Sequence, residues 1–581
     1  MGVSFGVSTI TLADGTVIEP PVNGMTVFTG PNNSGKSVLL RELVSLIHHH
    51  PGSVDPPRWI TGIQMRREGT GRELISWLRG RGHHTRLHKQ SGRMLLPGRV
   101  NQEEPGVDID SAAAQWDSFT FSSISHLLVN DQWTDHRLGN QSDSALWDQS
   151  RPPNHPTQRL WESKDDHAGF SRLFENAFGK SISINRYVPQ IRLQIGSPGI
   201  EDTPPPASPE LREAYEALPY LNEQGDGVRA FANILLHTLV RPAPVIVIDE
   251  PEAFLHPPQA RLLGRYLALD TPVPCQVFVA THSADFLSGV LEGNAAARPV
   301  YAGGLSLVRI SRAGEASSAR TLVPEAVAEI LDTPLLRYSN IVSGLFHDGV
   351  VLCEAEGDCQ FYDATFESLR GDGPHDNFTF LHVNGKARLT DAARKLRTCG
   401  IPTAVVADFD FLNDVSKLKQ ALVHLNGQWG EIKDDVMVLQ NHATSSVIVA
   451  PAADIKKNIS RIIGNPRGRV TLSQQQIDEI CKELKAANGW KLLKASGLAG
   501  LSGEPHNAAR RLLGYFAKLG VFIVPVGELE CWVRSVPATN KSVWLSRVFE
   551  EAHHVTPSGE LKEFAIKISE YLTGAEASEL T

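Results

Sequence analysis

The sequence has no long apolar run, no CxxC pair of cysteines and no N-terminal stretch that resembles a signal peptide. No stretch of its 581 residues approaches the roughly 20 apolar residues that span a bilayer, which argues against a membrane protein. The N-terminus MGVSFGVSTITLADG lacks the basic start and apolar centre of a secretion signal, so we expect a cytoplasmic location. The cysteines form no CxxC pair, which argues against a disulfide framework or a structural zinc site: Cys275, Cys353, Cys359, Cys399, Cys481 and Cys531.

Two catalytic motifs are also absent, namely the GxSxG elbow of many hydrolases and the HExxH motif of zinc proteases. A formal charge of -9 excludes a chain coated in basic surface, although a local basic patch can still bind nucleic acid. The length exceeds what one hydrophobic core usually supports, so two or three domains are expected.

Residues 58–99 carry ten Arg or Lys against two Glu. One interpretation is a basic insertion that binds double-stranded DNA through its phosphates, with Trp59 and Trp77 stacking on bases. The alternative is a solvated, arginine-rich segment without a ligand, and the sequence leaves both open. The candidate phosphate contacts are Arg66, Arg67, Arg79, Arg81 and Arg86.

Several short β-branched runs end in polar residues, as buried parallel strands do where their carboxyl ends carry a site. Helical patterns such as PPQARLLGRYLAL lie between them. This alternation predicts an α/β fold. The runs are APVIVIDE, CQVFVATHS, GVVLCEAE and PTAVVADFDF.

The stretch GPNNSGKS, residues 30–37, satisfies GxxxxGK[ST] between a predicted strand and a predicted helix. In such a loop backbone N–H groups hold phosphates, Lys36 would contact the β- and γ-phosphates, and Ser37 would ligate magnesium. We therefore predict a nucleotide site formed by Gly30, Asn33, Ser34, Gly35, Lys36 and Ser37.

The segment VIVIDEPEAFLHP adds two adjacent carboxylates at a predicted strand end. Asp249 can hold magnesium, and Glu250 can polarise the water that attacks a phosphate. A further strand in FVATHSADFL ends near His282, which could sense the γ-phosphate. These residues together predict nucleotide hydrolysis.

The loop, IDEPE, THS and the segment LNEQGDGVRAFANILL resemble the ABC-type ATPase head of the RecF, SMC and OLD group. The resemblance implies that ATP is the nucleotide and that Glu223–Arg229 contacts the ATP of a second head in a homodimer or higher oligomer. Gly225 and Gly227 would be backbone donors there, and Asn222 replaces the more usual Ser. Sustained heptads are missing, so the long coiled coil of SMC proteins is not expected.

A second acidic pattern lies further along the chain. Glu354 follows one predicted strand with Asp358 four residues on, and Asp408 and Asp410 follow another. Asp408 and Asp410 are expected on the same side of an extended chain. Clustered carboxylates without His or Cys favour Mg²⁺ or Mn²⁺ over zinc.

The sequence motifs of this region resemble those of the Toprim domain of OLD-family nucleases. LCEAEGD is similar to the LVEGxSD pattern, and VNGKARLTDAARKLRTCGIPTAVVADFD is similar to the run from the glycine-lysine turn to the DxD. The resemblance implies that Glu528 or Glu530, at a predicted strand end, completes the metal site. It also implies that Lys541 stabilises the reacting phosphate, although a plain surface lysine fits the residue equally well.

The resemblance therefore implies an ABC-type ATPase domain over residues 1–340 and a Toprim domain over 345–581 with a helical insertion at about 450–520. We predict an ATP-regulated DNA endonuclease or nickase, with two metal ions about 4 Å apart. The chain is similar to the ATPase-nuclease subunits of anti-phage systems such as Gabija. This resemblance implies a role in antiviral defence and a partner protein encoded nearby. The alternative is a RecF-like, ATP-switched DNA clamp or scaffold that does not cleave.

Overall fold

The computed structural model forms two compact units, Met1–Glu329 and Ile330–Thr581. Each unit has its own parallel sheet and its own core. The described residues are 2–48, 59–87, 91–96, 106–139, 142–203, 206–272, 274–296, 304–313, 316–332, 341–370, 377–383, 385–445, 452–464, 471–485, 489–537 and 540–574. The outer ends of the predicted basic segment and parts of the predicted helical insertion lie outside these residues.

The first unit alternates strands and helices along the chain. Its strands are β1 (Ser4–Leu12), β2 (Val17–Ile18), β3 (Gly24–Thr29), β4 (Ile60–Glu68), β5 (Arg86–Leu87), β6 (Met94–Leu95), β7 (Val129–Gln132), β8 (Ser144–Ala145), β9 (Ile182–Ile184), β10 (Gln190–Ile191), β11 (Leu193–Ile195), β12 (Val245–Asp249), β13 (Gln276–Ala280), β14 (Gly304–Ala313) and β15 (Ala316–Leu322). Its α-helices are α1 (Lys36–His48), α2 (Gly71–Gly80), α3 (Ile109–Asp117), α4 (Pro156–Glu162), α5 (Lys164–Phe178), α6 (Pro209–Glu216), α7 (Asp226–Leu235), α8 (Pro257–Asp270), α9 (Ala284–Ala296) and α10 (Pro324–Asp332).

The main sheet of this unit has the order β15-β14-β3-β13-β12-β7. All neighbours are parallel except β14 and β15, which form an antiparallel pair at one edge. Every residue of β12 and β13 is buried, which explains why their sequences are unbroken apolar runs. The carboxyl ends of β3 and β12 therefore face the same edge of the sheet, where the phosphate loop and the IDEPE segment begin.

The basic segment is part of the fold rather than an insertion. Strand β4 pairs antiparallel with β1 along nearly its whole length in the sheet β2-β1-β4. Trp59 is only 5% exposed and belongs to the core, and Trp77 packs against that core. The expectation that Trp59 stacks on a base is therefore wrong, because its ring is used for packing. Trp77 is half-buried with the Arg81 guanidinium 4.8 Å from its ring centroid, and its stacking on a base stays a prediction.

The second unit holds a four-stranded parallel sheet of order β17-β16-β18-β19. Its strands are β16 (Gly349–Cys353), β17 (Phe378–His382), β18 (Thr403–Ala407) and β19 (Val521–Ile523). Its α-helices are α11 (Glu356–Arg370), α12 (Lys386–Thr398), α13 (Val415–His424), α14 (Trp429–Ser445), α15 (Ala452–Ile463), α16 (Gln474–Lys485), α17 (Gly489–Ser496), α18 (Gly503–Lys518), α19 (Lys541–Glu550) and α20 (Gly559–Gly574).

Helices α13 to α18 all lie between β18 and β19 in the sequence, so the described residues between these two strands are mostly helical. We call these six helices the helical excursion. The α/β class predicted from the alternating pattern is confirmed in both units. None of the helices among the described residues is long and apolar enough to cross a membrane.

Candidate nucleotide and metal sites

The phosphate loop connects β3 to α1 and wraps around its own lysine. Lys36 Nζ donates to the carbonyl oxygens of Gly30 at 2.9 Å and Pro31 at 2.7 Å. Lys36 is 7% exposed, and burial lowers its pKa. Asn33 adopts a left-handed backbone with φ of 62°, which asparagine tolerates better than most residues. The loop thus has the tight curvature that a phosphate cradle needs.

Two predicted magnesium ligands meet across the sheet edge. Ser37 Oγ donates to Asp249 Oδ1 at 2.9 Å, although 212 positions separate the two residues. Burial raises the pKa of Asp249, and the hydrogen bond from Ser37 opposes that shift. A hydroxyl and a carboxylate side by side at the end of a phosphate loop fit a nucleotide-bound Mg²⁺.

Glu250 and His282 lie together, as a hydrolytic site requires. His282 Nδ1 is 3.4 Å from Glu250 Oε1 and also 3.4 Å from Glu252 Oε1. The hydrogen bond between His282 and Glu250 lowers the pKa of Glu250 and raises the pKa of His282. Glu250 is therefore held as a carboxylate that can accept a proton from water.

Glu252 anchors the histidine, a role that the sequence analysis missed. Its Oε1 atom accepts hydrogen bonds from Thr281 Oγ1 at 2.8 Å and from the backbone N–H of His282 at 2.9 Å. Burial raises the pKa of Glu252. The second glutamate of IDEPE, two positions after Glu250, was the available signal for this contact.

Arg137 is a second residue that the sequence analysis missed. It is fully buried, and its guanidinium donates to the carbonyl oxygens of Asp249 at 2.7 Å and Glu250 at 2.8 Å. The backbone of Glu250 has a φ of 48°, a left-handed conformation that is uncommon for glutamate. Arg137 thus helps to hold the strained backbone that aims this carboxylate. Its own carbonyl accepts from Asn233 of α7 at 2.7 Å.

The glycine-rich signature segment lies at the start of α7. Gly225 is exposed and directly precedes the helix, where its surroundings are open. Gly227 is fixed by packing, because a Cβ atom there would lie 2.4 Å from the carbonyl oxygen of Phe254. Asn222 bonds to the Asp143 carboxylate at 2.9 Å and accepts from Arg192 at 3.1 Å. Asn222 therefore stabilises the segment from inside the same chain.

In the second unit three predicted carboxylates converge. Ligand atoms of Glu354, Asp408 and Asp410 all lie within 4.8 Å of one another. Glu354 follows β16 and Asp408 follows β18, which are neighbouring parallel strands, so both side chains reach the same sheet edge. Asp408 has an extended backbone and directly precedes the 3₁₀ helix Phe409–Asn413, and Asp410 lies in the first turn of that helix. The extended chain expected through Asp410 is therefore wrong, although the two carboxylates do reach the same cluster.

This donor set fits a divalent, oxygen-preferring cation. All three donors are carboxylates, and Glu354 Oε1 is buried with no hydrogen-bond partner among the described residues. Burial, with the nearby Asp408 carboxylate, raises the pKa of Glu354 to about 7. Burial also raises the pKa of Asp408. Like charges this close are costly in the absence of a cation, so the cluster is suited to bind one.

Two lysines enter the cluster, and the sequence analysis named neither as a site residue. Lys386, at the start of α12, pairs with Asp410 and lies 3.6 Å from Glu354 Oε1. Lys494 of α17 lies 2.8 Å from Asp408 Oδ2. The glycine-lysine turn of VNGK was an available signal for Lys386, whereas no local pattern marks Lys494.

The other predicted ligands lie beside the cluster. Asp358 accepts from Lys541 Nζ at 2.6 Å and from the backbone N–H of Ala355 at 3.0 Å, so it caps α11 and pairs with the lysine. Glu528 is 3.5 Å from Lys494 Nζ, and burial raises its pKa. Glu530 lies in the first turn of the 3₁₀ helix Leu529–Trp532.

The expected strand end at Glu528 and Glu530 is wrong. Strand β19 ends at Ile523, and the chain turns before either glutamate. Pro525 cannot donate to a sheet ladder, and Gly527 has a φ of 115°, outside the range of an extended strand. Glu528 therefore approaches the cluster from a loop rather than from the sheet.

The arginines of the basic segment divide into two groups. Arg66, Arg67 and Arg81 donate to backbone carbonyl oxygens of Val22, Asp117 and Pro242, so they stabilise the fold. Arg79 and Arg86 are exposed. Phosphate binding requires a side chain that DNA can reach, and among these five arginines only Arg79 and Arg86 are exposed. The predicted DNA-facing arginines are therefore reduced to these two.

Two family models match the chain. Residues 137–288, which include the signature segment, Asp249, Glu250 and His282, match "AAA domain, putative AbiEii toxin, Type IV TA system". Residues 345–410, which extend from before Glu354 to Asp410, match "Overcoming lysogenization defect protein-like, TOPRIM domain". An ATPase domain is thus followed by a Toprim domain.

Among curated proteins, the chain is similar to the "Old nuclease" of Escherichia phage P2, with 26% identity over 178 residues. The match covers 29% of this chain and 28% of the phage protein. The predicted order of an ATPase domain followed by a Toprim domain is confirmed by the two family models, and the similarity to this nuclease agrees with it.

Solved structures of SMC heads also match the chain. The SmcHead bound to the C-winged helix domain of ScpA has 12% identity and a TM-score of 0.33, and the match covers 56% of this chain and 99% of that one. The SMC head domain from Thermotoga maritima has 12% identity and a TM-score of 0.27, over 56% of this chain and 100% of that one.

Proposed function

We propose that the protein is an ATP-regulated, divalent-metal-dependent DNA nuclease. The observation that carries the proposal is the convergence of Glu354, Asp408 and Asp410 within the region that matches an OLD-like TOPRIM domain. A merely structural domain gains nothing from buried like charges, whereas a metal site needs them. Double-stranded DNA is the substrate that we assign to this site.

At the Toprim site Glu354, Asp408 and Asp410 would hold the metal, as Mg²⁺ or Mn²⁺. Such a cation, when bound, acts as a Lewis acid and supplies a hydroxide-like nucleophile near neutral pH. Lys386 and Lys494 place positive charge beside these carboxylates, where the phosphate of a DNA strand would meet it. Lys541, paired with Asp358, stays a candidate for a phosphate contact.

At the ATPase site Lys36 would bind the β- and γ-phosphates, and Ser37 with Asp249 would ligate Mg²⁺. Glu250 would then take a proton from the attacking water, and His282 would orient it. The support is the geometry of one connected cluster, in which Ser37 contacts Asp249 and His282 contacts Glu250.

The regulatory part of the proposal is that ATP acts through a homodimer or higher oligomer of heads. The signature residues Glu223, Gly225 and Asp226 are exposed at the start of α7, so a second head has access to them. ATP held between two heads would couple nucleotide binding to the relative position of the two chains. We place the nuclease in anti-phage defence with a partner protein encoded nearby, on the family resemblance alone.

The test of the proposal is cleavage of supercoiled plasmid DNA by the purified wild-type chain. We expect nicked or linear product with Mg²⁺ or Mn²⁺ and none with EDTA, because EDTA removes the divalent cation that would act as the Lewis acid. Gel electrophoresis measures the products. A wild-type chain that leaves plasmid intact across both metals, with and without ATP, would contradict the nuclease proposal.

DNA binding by the basic segment gives a second prediction. The double substitution Arg79→Ala and Arg86→Ala should weaken DNA binding equally for unrelated sequences, because phosphate contacts carry no base information. It should also lower the slope of log K against log salt by about two, one for each lost contact. Fluorescence anisotropy over a salt series measures both. Arg212→Ala, at an exposed arginine outside the segment, is the control, and an unchanged slope in the double variant would return the segment to the solvated interpretation.

A further inference from the structure

Helix α17 brings a lysine from the helical excursion into the carboxylate cluster. Lys494 Nζ lies 2.8 Å from Asp408 Oδ2. The same nitrogen is 3.6 Å from Asp410 Oδ2 and 3.5 Å from Glu528 Oε2. One ammonium group therefore stands among three carboxylates that approach from two different segments.

The fold fixes the base of this side chain. Leu498 donates its backbone N–H to the Pro525 carbonyl at 2.8 Å, which joins the end of α17 to the loop before Glu528. Gly497 and Gly527 allow a backbone contact in which a Cβ on Gly527 would lie 2.0 Å from the Lys494 carbonyl oxygen. Gly527 also accepts from Phe409 N–H at 2.7 Å, next to Asp408. These contacts thus fix the backbone from which the Lys494 side chain extends, unlike that of a lysine on a free surface.

The charges of the centre explain why a lysine is useful there. The centre holds four carboxylates and two ammonium groups, so a formal charge of minus two remains, which one divalent cation would neutralise. The carboxylates are Glu354, Asp408, Asp410 and Glu528, and the ammonium groups are Lys386 and Lys494. The Asp358–Lys541 pair beside them is neutral in sum.

We propose that Lys494 is a built-in cation of the nuclease centre, which competes with the divalent metal ion for Asp408 and binds a DNA phosphate once the metal ion holds that carboxylate. The four-carbon stem of lysine lets the ammonium shift by several ångströms while the backbone stays clamped. The phosphate half of the proposal rests on the proposed nuclease function. The metal half does not depend on it.

The test uses the 581-residue chain with Lys494→Met, which keeps an unbranched side chain one atom shorter than lysine and removes its charge. Mn²⁺ binding without nucleotide is measured by calorimetry, with Asp249→Asn in every sample to eliminate the magnesium ligand of the ATPase site. We expect Lys494→Met to bind Mn²⁺ about three- to tenfold more tightly, because a competing positive charge has been removed. Lys491→Met, at an exposed lysine on the same helix, should leave the affinity unchanged.

Plasmid cleavage, measured at saturating Mn²⁺ without the Asp249 substitution, gives the second readout. Lys494→Met should cleave about 100-fold more slowly in spite of its tighter metal binding, and Lys494→Arg should recover part of the rate because it restores the charge. Unchanged or weaker Mn²⁺ binding in Lys494→Met would overturn the proposal, as would cleavage at the wild-type rate. If the wild type cuts no DNA, the nuclease function fails and the Mn²⁺ affinities alone decide whether Lys494 competes with the metal.

Discussion

The Asp408→Ala variant is expected to lose DNA cleavage, by a factor of at least about 100, while its ATP hydrolysis stays close to that of the wild type. Asp408 converges with Glu354 and Asp410, and its Oδ2 atom is 2.8 Å from the Lys494 ammonium. Its removal takes away one of three converging oxygen ligands and leaves the nucleotide-binding residues of the first unit unchanged.

A binding measurement separates loss of metal from loss of chemistry. A ligand that binds only the folded state raises the melting temperature, so Mn²⁺ should stabilise the wild type more than Asp408→Ala. Differential scanning fluorimetry with and without Mn²⁺ measures the difference. Asp434→Ala, at an exposed aspartate of α14 outside the cluster, should behave like the wild type in both assays.

Cleavage by Asp408→Ala at the wild-type rate, after contaminating nucleases are excluded, would contradict the Toprim nuclease. The ATP-switched DNA clamp would then be the better hypothesis for the function of this protein. The ATPase site would still be supported, whereas the carboxylate cluster would have no role in cleavage.

The second large effect is expected at the ATPase site, where Lys36→Ala should abolish ATP binding and hydrolysis, and Glu250→Gln should keep binding while slowing hydrolysis by about 10²- to 10⁴-fold. Lys36 is the buried cation of the predicted phosphate loop, so its loss would remove the proposed phosphate contact. Glutamine keeps the shape of Glu250 but cannot accept a proton from water, and it removes one of the two carboxylates beside His282, since Glu252 remains. Binding and turnover should therefore separate between the two variants.

Fluorescent ATP analogues measure the binding, and steady-state phosphate release measures the turnover. Lys180→Ala, at an exposed lysine, is the control for loss of a positive charge. Wild-type turnover in Glu250→Gln would show that another group is the general base. Undiminished ATP binding in Lys36→Ala would show that the loop does not hold the phosphates.

The ATPase site could be predicted from sequence where its residues are local. The phosphate loop spans eight positions, and Asp249 and Glu250 are neighbours at the end of one strand. Arg137 could not be found in this way, since it lies 112 positions from Asp249 and acts through backbone carbonyl oxygens. Every residue has a backbone carbonyl, so a guanidinium that binds these oxygens does not require particular residue types. No sequence motif therefore marks the contact.

The Toprim site, too, could be predicted from the sequence only in part. Glu354 and Asp408 follow apolar runs that read clearly as strands, and β16 and β18 are indeed neighbours. The 3₁₀ turn after Asp408 depends on tertiary packing, and propensity does not determine it. The early end of β19 does have a local signal, because Pro525 follows the strand by two positions and cannot donate to a sheet ladder. Lys494 belongs to a helix with no periodic link to the acidic motifs, so its contact with Asp408 appears only once the chain is folded.

The bond between Asn233 and Arg137 has a consequence for how two ATPase sites would work together. Asn233 lies on the helix that begins with the signature segment, and Arg137 holds the backbone of Asp249 and Glu250. A displacement of that helix by a neighbouring head would be passed through one buried arginine to the general base of the same chain. In a head dimer the two active sites would then turn over cooperatively, and the rate would rise with ATP concentration along a sigmoidal curve.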